Sequence, residues 1–241
     1  MRLSIVVPVY NEARAVGSVL EKLLALETAC PEKEILVVDD GSTDETRAEV
    51  ERVAERHAGV RLLSHDSNRG KGTAVRTAIA QARGGIVVMI DADGELDPDD
   101  LPAVVAPLVE GRADAVNGSR FLADAGSSVP WLNYAANRLL TLTLNILYGA
   151  RLTDVESGLK AFRREAILGL RLRARRFEFE AEVTAKLLRA GRRIEETPVR
   201  YRALTQGHEK TIGWRDGVQA LWVLAKCRVL PRRCILREHA P

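Results

Sequence analysis

Ten consecutive residues, Ile86-Val87-Val88-Met89-Ile90-Asp91-Ala92-Asp93-Gly94-Glu95, constrain this chain more than any other stretch. The five aliphatic residues that open it have no polar residue at alternate positions. That pattern predicts a strand buried on both faces, like the inner strands of a parallel sheet. Asp91, Asp93 and Glu95 follow at alternate positions past its carboxyl end. At that edge of an open α/β sheet the loops lie outside the core, so they carry polar groups without burying them, and ligands bind there. Oxygen-only side chains so placed suit a hard divalent cation, Mg2+ or Mn2+, with positions left for phosphate oxygens. A plainer reading stands beside this one. Asp and Gly are common turn residues, and Asp97-Pro98 has the form of an N-cap followed by proline at the first helical position.

The flanking sequence alternates strand and helix signals. Leu3 to Val9 is β-branched and apolar; Val16, Leu20, Leu23 and Leu24 then recur at helical spacing. Glu34 to Val38 predicts a second strand, and Ser42 with Glu45 forms a capping-box pattern that predicts a helix starting there and running through Val50, Val53 and Ala54. Val60 to Leu63 is a short third strand. Asn68-Arg69-Gly70-Lys71-Gly72-Thr73 then leads into a helix with Ala74, Val75, Ala78, Ile79 and Ala82. Its glycines either let backbone N–H groups approach a phosphate at the helix N-terminus or form a plain turn. After the strand at 86, Leu101, Val104, Val105 and Leu108 mark a helix, and Ala113 to Asn117 a fifth strand ending in Gly118-Ser119-Arg120. Alternation of this kind predicts an α/β fold, a three-layer, Rossmann-like sandwich around a mostly parallel sheet.

The second half changes character. Trp131 to Tyr148 is apolar but interrupted by Asn133, Asn137, Arg138 and Asn145, which favours a core helix over one bordering an apolar acceptor or a membrane. Thr153 to Lys160 predicts a polar loop. Phe177-Glu178-Phe179-Glu180 precedes a helix with Val183, Leu187 and Leu188, and Glu196 to Tyr201 predicts a further strand. From Gly213 to Leu236 runs a segment with Trp214, Leu221, Trp222, Leu224, Lys226, Arg228, Arg232 and Arg233. A basic amphipathic helix lies either against anionic lipid or simply in solvent. Residues 1–210 are expected as one catalytic domain and 211–241 as a C-terminal helical segment.

Charge and cysteine usage exclude several classes. A formal net charge of +3 over 241 residues is too mild for nucleic acid, and no basic motif interleaved with aromatics occurs. Cys30, Cys227 and Cys234 are never spaced C-x-x-C and read as reduced thiols; His57, His65, His208 and His239 are scattered and read as surface or packing residues. The apolar N-terminus is too short for a signal peptide, and no apolar run approaches the roughly 18–20 residues a bilayer span needs. A cytoplasmic protein is expected, either free or peripheral on the cytoplasmic membrane face.

Taken in order, Pro8-Val9-Tyr10-Asn11-Glu12, Val38-Asp39-Asp40-Gly41-Ser42, Gly70-Lys71-Gly72, Asp91-Ala92-Asp93 and Gly118-Ser119-Arg120 resemble the motifs of family 2 glycosyltransferases with the GT-A fold. The resemblance is nearest to the dolichol-phosphate (polyprenyl-phosphate) mannosyl- and glucosyltransferases, and continues through Asp154 to Lys160 and Tyr201-Arg202 with Gly207 to Lys210. It implies a nucleotide-sugar donor held by Pro8, Tyr10, Glu12, Asp40, Lys71, Asp91, Ala92, Arg202 and Lys210, with Asp40 accepting hydrogen bonds from base or ribose. It implies Mg2+ or Mn2+ at Asp91, Asp93 and Glu95, and Arg120 binding an anionic acceptor or diphosphate. Relatives often carry Gln at the Glu95 position, and lipid-phosphate-binding relatives often an Arg early in the following helix, where this chain has Asn133 and, later, Arg138.

Breaking a glycosyl–phosphate bond loads negative charge onto the departing nucleoside diphosphate, which a divalent cation stabilises. An acceptor phosphate is already anionic and attacks without a base. A hydroxyl acceptor needs one, worth about 10²–10⁴-fold, and Asp154 and Glu156 are the candidates, with Glu178 and Glu180 behind them. The expected activity is inverting transfer of a hexose, from a GDP-mannose or UDP-glucose type of donor, to a polyprenyl phosphate. Alternatives are transfer to a soluble hydroxyl acceptor, a sugar nucleotidyltransferase, and a non-catalytic nucleotide-sugar-binding protein.

Overall fold

Successive strand residues point to opposite faces of a sheet, so an all-apolar strand supplies two cores at once. In the computed structural model, which describes residues 1–122, 129–203 and 213–237, this is how the inner strands are used. Strands β1 (Arg2–Val9), β2 (Glu32–Asp39) and β4 (Ile86–Met89) send Ile5, Val7, Ile35, Val37, Ile86 and Val88 to one face. They send Val6, Leu36, Val38, Val87 and Met89 to the other.

The first face packs against helices α1 (Val16–Ala25), α2 (Thr46–Arg56) and α4 (Leu101–Val109). The second packs against α3 (Lys71–Gln81), α6 (Arg164–Leu168) and α7 (Phe179–Arg189). In α1 the buried residues Val16, Val19, Leu20 and Leu23 make the apolar stripe that the 3.6-residue period requires. In α3 the buried residues are Gly72, Thr73, Ala74, Val75, Ala78 and Ile79, of which Gly72, Ala74 and Ala78 are small enough to bring the helix close to its neighbours. The three-layer α/β sandwich is as expected.

With β3 (Val60–Ser64), β5 (Ala115–Ser119), β6 (Lys160–Arg163) and β7 (Ile194–Pro198), the sheet has seven strands in the order β3-β2-β1-β4-β6-β5-β7. The order reverses between β1 and β4, so their carboxyl ends open the crevice where ligands bind in such sheets. β6 runs antiparallel to both β4 and β5. The inner strand at 86 is therefore parallel to β1 on one side and antiparallel to β6 on the other. The sequence pattern does not predict β6, which begins at the last residue of the expected polar loop. It is four residues long and has charged residues at both ends, which is too little for a period to show. Its reversal positions the site, because the residues just before Lys160 arrive at the carboxyl edge of β4 and β5.

Other boundaries shift for local reasons. Helix α2 starts at Thr46, not at Ser42. The Ser42 hydroxyl accepts instead from the Asn11 N–H, at 3.0 Å, and the Asp44 carboxylate caps the Thr46 N–H, at 3.0 Å. The last strand ends at Pro198, with Tyr201 making an isolated antiparallel bridge to Leu96. Asp97 does cap the turn that starts at Pro98, a 3-10 turn (Pro98–Asp100) ahead of α4.

The segment 131–148 is a helix, α5 (Trp131–Tyr148), but not a core helix. Only Asn137, Leu140, Thr141 and Leu144 are buried. They pack with α7 and with α8 (Trp214–Val229) in a third cluster that includes Ala181, Ala185, Ala220 and Leu224. The chain then returns through α9 (Arg232–Ile235), with Arg237 N donating to Gly169 O at 2.8 Å. Lys210, His208 and His239 lie outside the described residues.

Candidate active site

The cleft at the carboxyl edge of β4 is lined by Lys71, Asp91, Asp93, Glu95, Leu96, Arg120, Glu156, Gly158, Phe177, Glu180 and Tyr201. Three sequence-distant pieces meet there: the D-x-D turn after β4, Arg120 after β5, and the loop 153–158 that the antiparallel β6 delivers. Gly158 is what permits the approach. A Cβ at this position would sit 2.2 Å from Asp91 Oδ2, so the carboxylate lies directly on the glycine backbone.

Asp91 accepts from the Lys71 ammonium at both oxygens, at 2.8 and 2.9 Å, and Lys71 also lies 2.6 Å from Glu180 Oε1. The turn continues with Gly94 at φ 79° and the Glu95 N–H donating to Asp93 Oδ1 at 2.9 Å. Glu95 O accepts from the Arg202 N–H at 2.8 Å, and its side chain holds the Tyr201 hydroxyl. Burial, reinforced by Glu95, pushes the Tyr201 phenol up to about 12. It therefore stays protonated. Arg202 is exposed, and Ala92 is buried in the core, where it anchors the turn between the two aspartates.

The residues expected to hold the donor form a second set of loops. Asn11, at φ 55°, takes a hydrogen bond from Thr43 N at 2.8 Å, and the Glu12 N–H donates to Thr46 Oγ1 at 2.7 Å. The loop after β1 is thus tied to the loop after β2. Tyr10 stands exposed at its tip, and Pro8 is the penultimate residue of β1, beyond the stretch paired with β4. Asp40, expected as an acceptor for base or ribose, has internal partners in this structure. Its buried oxygens already accept from His65 Nδ1 at 2.6 Å, Arg69 N at 3.0 Å and Gly70 N at 2.7 Å. Asp40 holds the Gly70 turn, and through it Lys71, in place. Gly70 itself is at φ 92°, and a Cβ there would meet Arg175 O at 2.3 Å.

Asp154 is also differently employed. It is fully buried and takes Arg120 N, Nε and Nη2 at 3.1, 2.7 and 2.9 Å, and Asn137 Nδ2 at 2.7 Å. Burial opposes its ionisation, but the Arg120 guanidinium and these hydrogen bonds outweigh it and hold the carboxyl below its usual range. A carboxylate so saturated has no lone pair aimed at a substrate and is a poor base, in contrast to the expected role. Arg120 in turn lies over the rings of Phe121 and Tyr201, at 5.6 and 5.4 Å.

Glu156 faces the cleft with Oε1 lacking a hydrogen-bond partner, and burial together with Glu180 pushes it up to about 8. The loop's backbone is clamped from below. Glu196 on β7 accepts from Thr153 N and Asp154 N at 2.7 and 3.1 Å, and the buried Lys160 donates to Asn117 Oδ1 and Val155 O, both at 3.0 Å. Asn137, Gly158 and Tyr201 are additions to the expected site residues, and Glu180 is expected only as a reserve base. In the sequence Asn137 merely interrupts an apolar run, and no local pattern distinguishes it.

The carboxylates Asp91, Asp93 and Glu95 share one cleft, and their oxygens suit a hard cation. Among the described residues no three acidic, His or Cys side chains converge closely enough to hold an ion as they stand. The Lys71 ammonium occupies the Asp91 oxygens instead.

A mostly parallel sheet with a D-x-D turn at its switch point is the architecture of the GT-A fold. The family model described as glycosyl transferase family 2 matches residues 4–170, and the chain belongs to that family. It is 32% identical over 215 residues to glycosyltransferase AglJ of Haloferax volcanii, covering 88% of this chain and 67% of that one. It is 30% identical over 224 residues to dolichyl-phosphate beta-glucosyltransferase ALG5A of Trichomonas vaginalis, covering 88% and 69%. It is also similar, at 29% identity, to dodecaprenyl-phosphate galacturonate synthase of Rhizobium johnstonii, with 87% and 62% covered. The polyprenyl-phosphate branch that the motifs resemble is thus among its relatives. The chain spans only 33% of another relative, glycosyltransferase AglD of Haloferax volcanii. Among solved structures, the Mycobacterium tuberculosis glucosyl-3-phosphoglycerate synthase in complex with UDP superposes with a TM-score of 0.73 at 24% identity, covering 95% of this chain and 80% of that one. That likeness is one of fold. The same neighbour has been solved with Mn2+, UDP-glucose and phosphoglyceric acid.

Proposed function

We propose that this chain is an inverting, metal-dependent glycosyltransferase that moves a hexose from a nucleotide sugar to a polyprenyl phosphate at a membrane surface. The observation that carries the acceptor is the double use of α5. From its buried face Asn137 holds Asp154, and with it Arg120, at the cleft. Its other face leaves Trp131, Leu132, Leu139, Leu142 and Ile146 exposed, Trp131 at 78% and Ile146 at 73%. The neighbouring α8 exposes Trp214, Val218 and Trp222. Helices α5, α8 and α9 together carry six basic side chains and one acidic one, in a chain of net charge +3, so the rest of the molecule is net acidic. Exposed Trp and Leu beside basic residues suit the interface of an anionic bilayer. No helix among the described residues is long and apolar enough to cross a membrane.

The chemistry of the cleft supports a phosphate acceptor. In a single displacement the bond from the anomeric carbon to the diphosphate oxygen breaks as an acceptor oxygen attacks from the opposite side. A hydroxyl would need a base, yet Asp154 is bound to Arg120, and burial with the neighbouring Glu180 favours the neutral form of Glu156. A phosphate monoester brings its own anionic oxygen. Asp91, Asp93 and Glu95 are the residues that would hold Mg2+ or Mn2+, which supplies positive charge to the departing diphosphate. Lys71 and Arg120 add fixed positive charge on either side of the cleft. Lys210, in the same expected set, lies outside the described residues.

A soluble acceptor is the second reading, favoured by the fold neighbour solved with phosphoglyceric acid. The test is nucleoside diphosphate release from a panel of GDP- and UDP-sugars, with and without Mn2+ or Mg2+, with short-chain polyprenyl phosphate or 3-phosphoglycerate. Release that needs both cation and lipid phosphate supports the proposal. Release driven by 3-phosphoglycerate and indifferent to the lipid overturns it.

A further inference from the structure

The Lys71 ammonium sits where a cation would engage the D-x-D turn. It is 2.8 and 2.9 Å from the two oxygens of Asp91 and 2.6 Å from Glu180 Oε1. Neither anchor of this arrangement is loose. Lys71 is the first residue of α3, directly after the Gly70 turn that Asp40 grips. Asp91 is pressed against Gly158, so it cannot rotate away on that side without meeting backbone.

The other basic group of the cleft, Arg120, is engaged with the buried Asp154. Lys71 therefore serves as counter-ion to Asp91 and Glu180 together. The ammonium spans both oxygens of Asp91, so a divalent ion that bonds either of them at the roughly 2.0–2.2 Å of Mg2+ or Mn2+ coordination lies against a like charge. That repulsion favours withdrawal of the ammonium, and the four-carbon lysine stem is the flexible partner.

We propose that Lys71 is an exchangeable internal cation. It occupies Asp91 in the empty enzyme and yields that carboxylate to the divalent ion that arrives with the donor, while Glu180 retains its ammonium beside the diphosphate. Glu180 is then a positioning residue, acting through Lys71. The inference rests on the metal-dependent reading above and adds an order to it. Cation binding to the empty enzyme is weak, because it must displace Lys71. It strengthens when a nucleoside diphosphate offers the displaced ammonium a new partner, and by linkage the cation strengthens nucleotide binding equally.

The experiment is titration of the full chain with Mn2+, free ion being counted by electron paramagnetic resonance, in the absence and presence of UDP or GDP. Lys71→Met is expected to tighten Mn2+ binding to the empty enzyme at least about tenfold, as removal of an adjacent like charge predicts. It is also expected to shrink the gain that nucleotide brings. Lys71→Arg, which keeps the charge and forks onto carboxylates, is expected to bind Mn2+ no better than wild type. In an Asp91→Asn background the Lys71→Met change is expected to have little effect. Melting curves establish that each variant is folded.

Unchanged Mn2+ affinity in Lys71→Met overturns the proposal. So does an equal gain in the Asp91→Asn background, since that is a general field effect and not competition for Asp91. In either case the metal-dependent reading survives. Wild-type enzyme that binds no Mn2+ even with nucleotide overturns both.

Discussion

The two sides of the cleft are built differently. On the side expected to hold the donor the elements all come from the first half of the chain: β1 with its loop, β2 with its loop, α3 and the turn after β4. Each supplies its polar residues from a short motif at a strand end. On the side expected to face the acceptor, Arg120, Asn137, Asp154 and Glu156 come from the end of β5, α5 and the loop before β6, and their geometry exists only once the antiparallel strand is inserted. The acceptor side depends on a buried ion pair and on a helix whose other face is open to solvent.

The largest expected effect is on the donor side. Asp93→Ala is expected to lower nucleoside diphosphate release by about 10³-fold or more, the order lost when one preorganised charge-stabilising group is removed. Its melting temperature is expected to stay close to wild type. Near-normal turnover in that variant would mean that the D-x-D turn is only a turn.

Asp154→Ala addresses the other side. It leaves Arg120 with an uncompensated charge, and breaking such a pair costs about 3 kcal/mol or more. A lower urea midpoint and a fall in kcat/KM for the acceptor are expected, with donor affinity retained. Equal losses of donor and acceptor affinity would erase the distinction between the two sides.

Gly158→Ala tests the point where they touch. A methyl 2.2 Å from Asp91 Oδ2 must push that carboxylate aside. Turnover is expected to fall about 10²-fold, as misplacement of a reacting group by about an ångström does. Retention of full activity would show that Asp91 has room to move.

Glu156 gives a pH signature. Burial and Glu180 raise its carboxyl from the ordinary glutamate range to about 8 in the folded chain. The stability it contributes is therefore present in full below its unfolded value and is lost as pH rises through 8. Ligand-free wild type is expected to lose stability between about pH 5 and pH 9, and Glu156→Gln to flatten that slope. Parallel pH profiles of stability would contradict the burial argument.

The smallest effect on stability is at the surface. Leu142→Glu with Ile146→Glu should change stability by no more than about 0.5 kcal/mol, since both side chains are exposed. Sedimentation with anionic vesicles is expected to drop sharply. Unaltered sedimentation would remove α5 from the membrane reading.

Legibility in the sequence divides along the same line. The inner strand at 86, its carboxylates, the Gly70 turn and the order of β-α units all leave local marks, because burial on two faces and strand-end glycines act over a few residues. The antiparallel β6 leaves none, being four residues that look like the end of a loop. Nor does the use of α5. Its apolar composition fits a core helix, and only the tertiary arrangement shows that four of its residues are buried and that Asn137 is one of them. Asp40 and Asp154 stand out by motif, yet their partners Gly70 and Arg120 lie 30 and 34 residues away in the chain, and those partners decide what the carboxylates do.

The most direct test of lipid-phosphate glycosylation is the mass of the product. Purified chain would be incubated with the donor selected by nucleotide release, Mn2+, and vesicles carrying polyprenyl phosphate, and the lipid read by mass spectrometry. One hexose added to the lipid phosphate is the predicted result, dependent on the cation and lost in Asp93→Ala. Lipid phosphate left unmodified while the sugar is transferred to a water-soluble acceptor would contradict it.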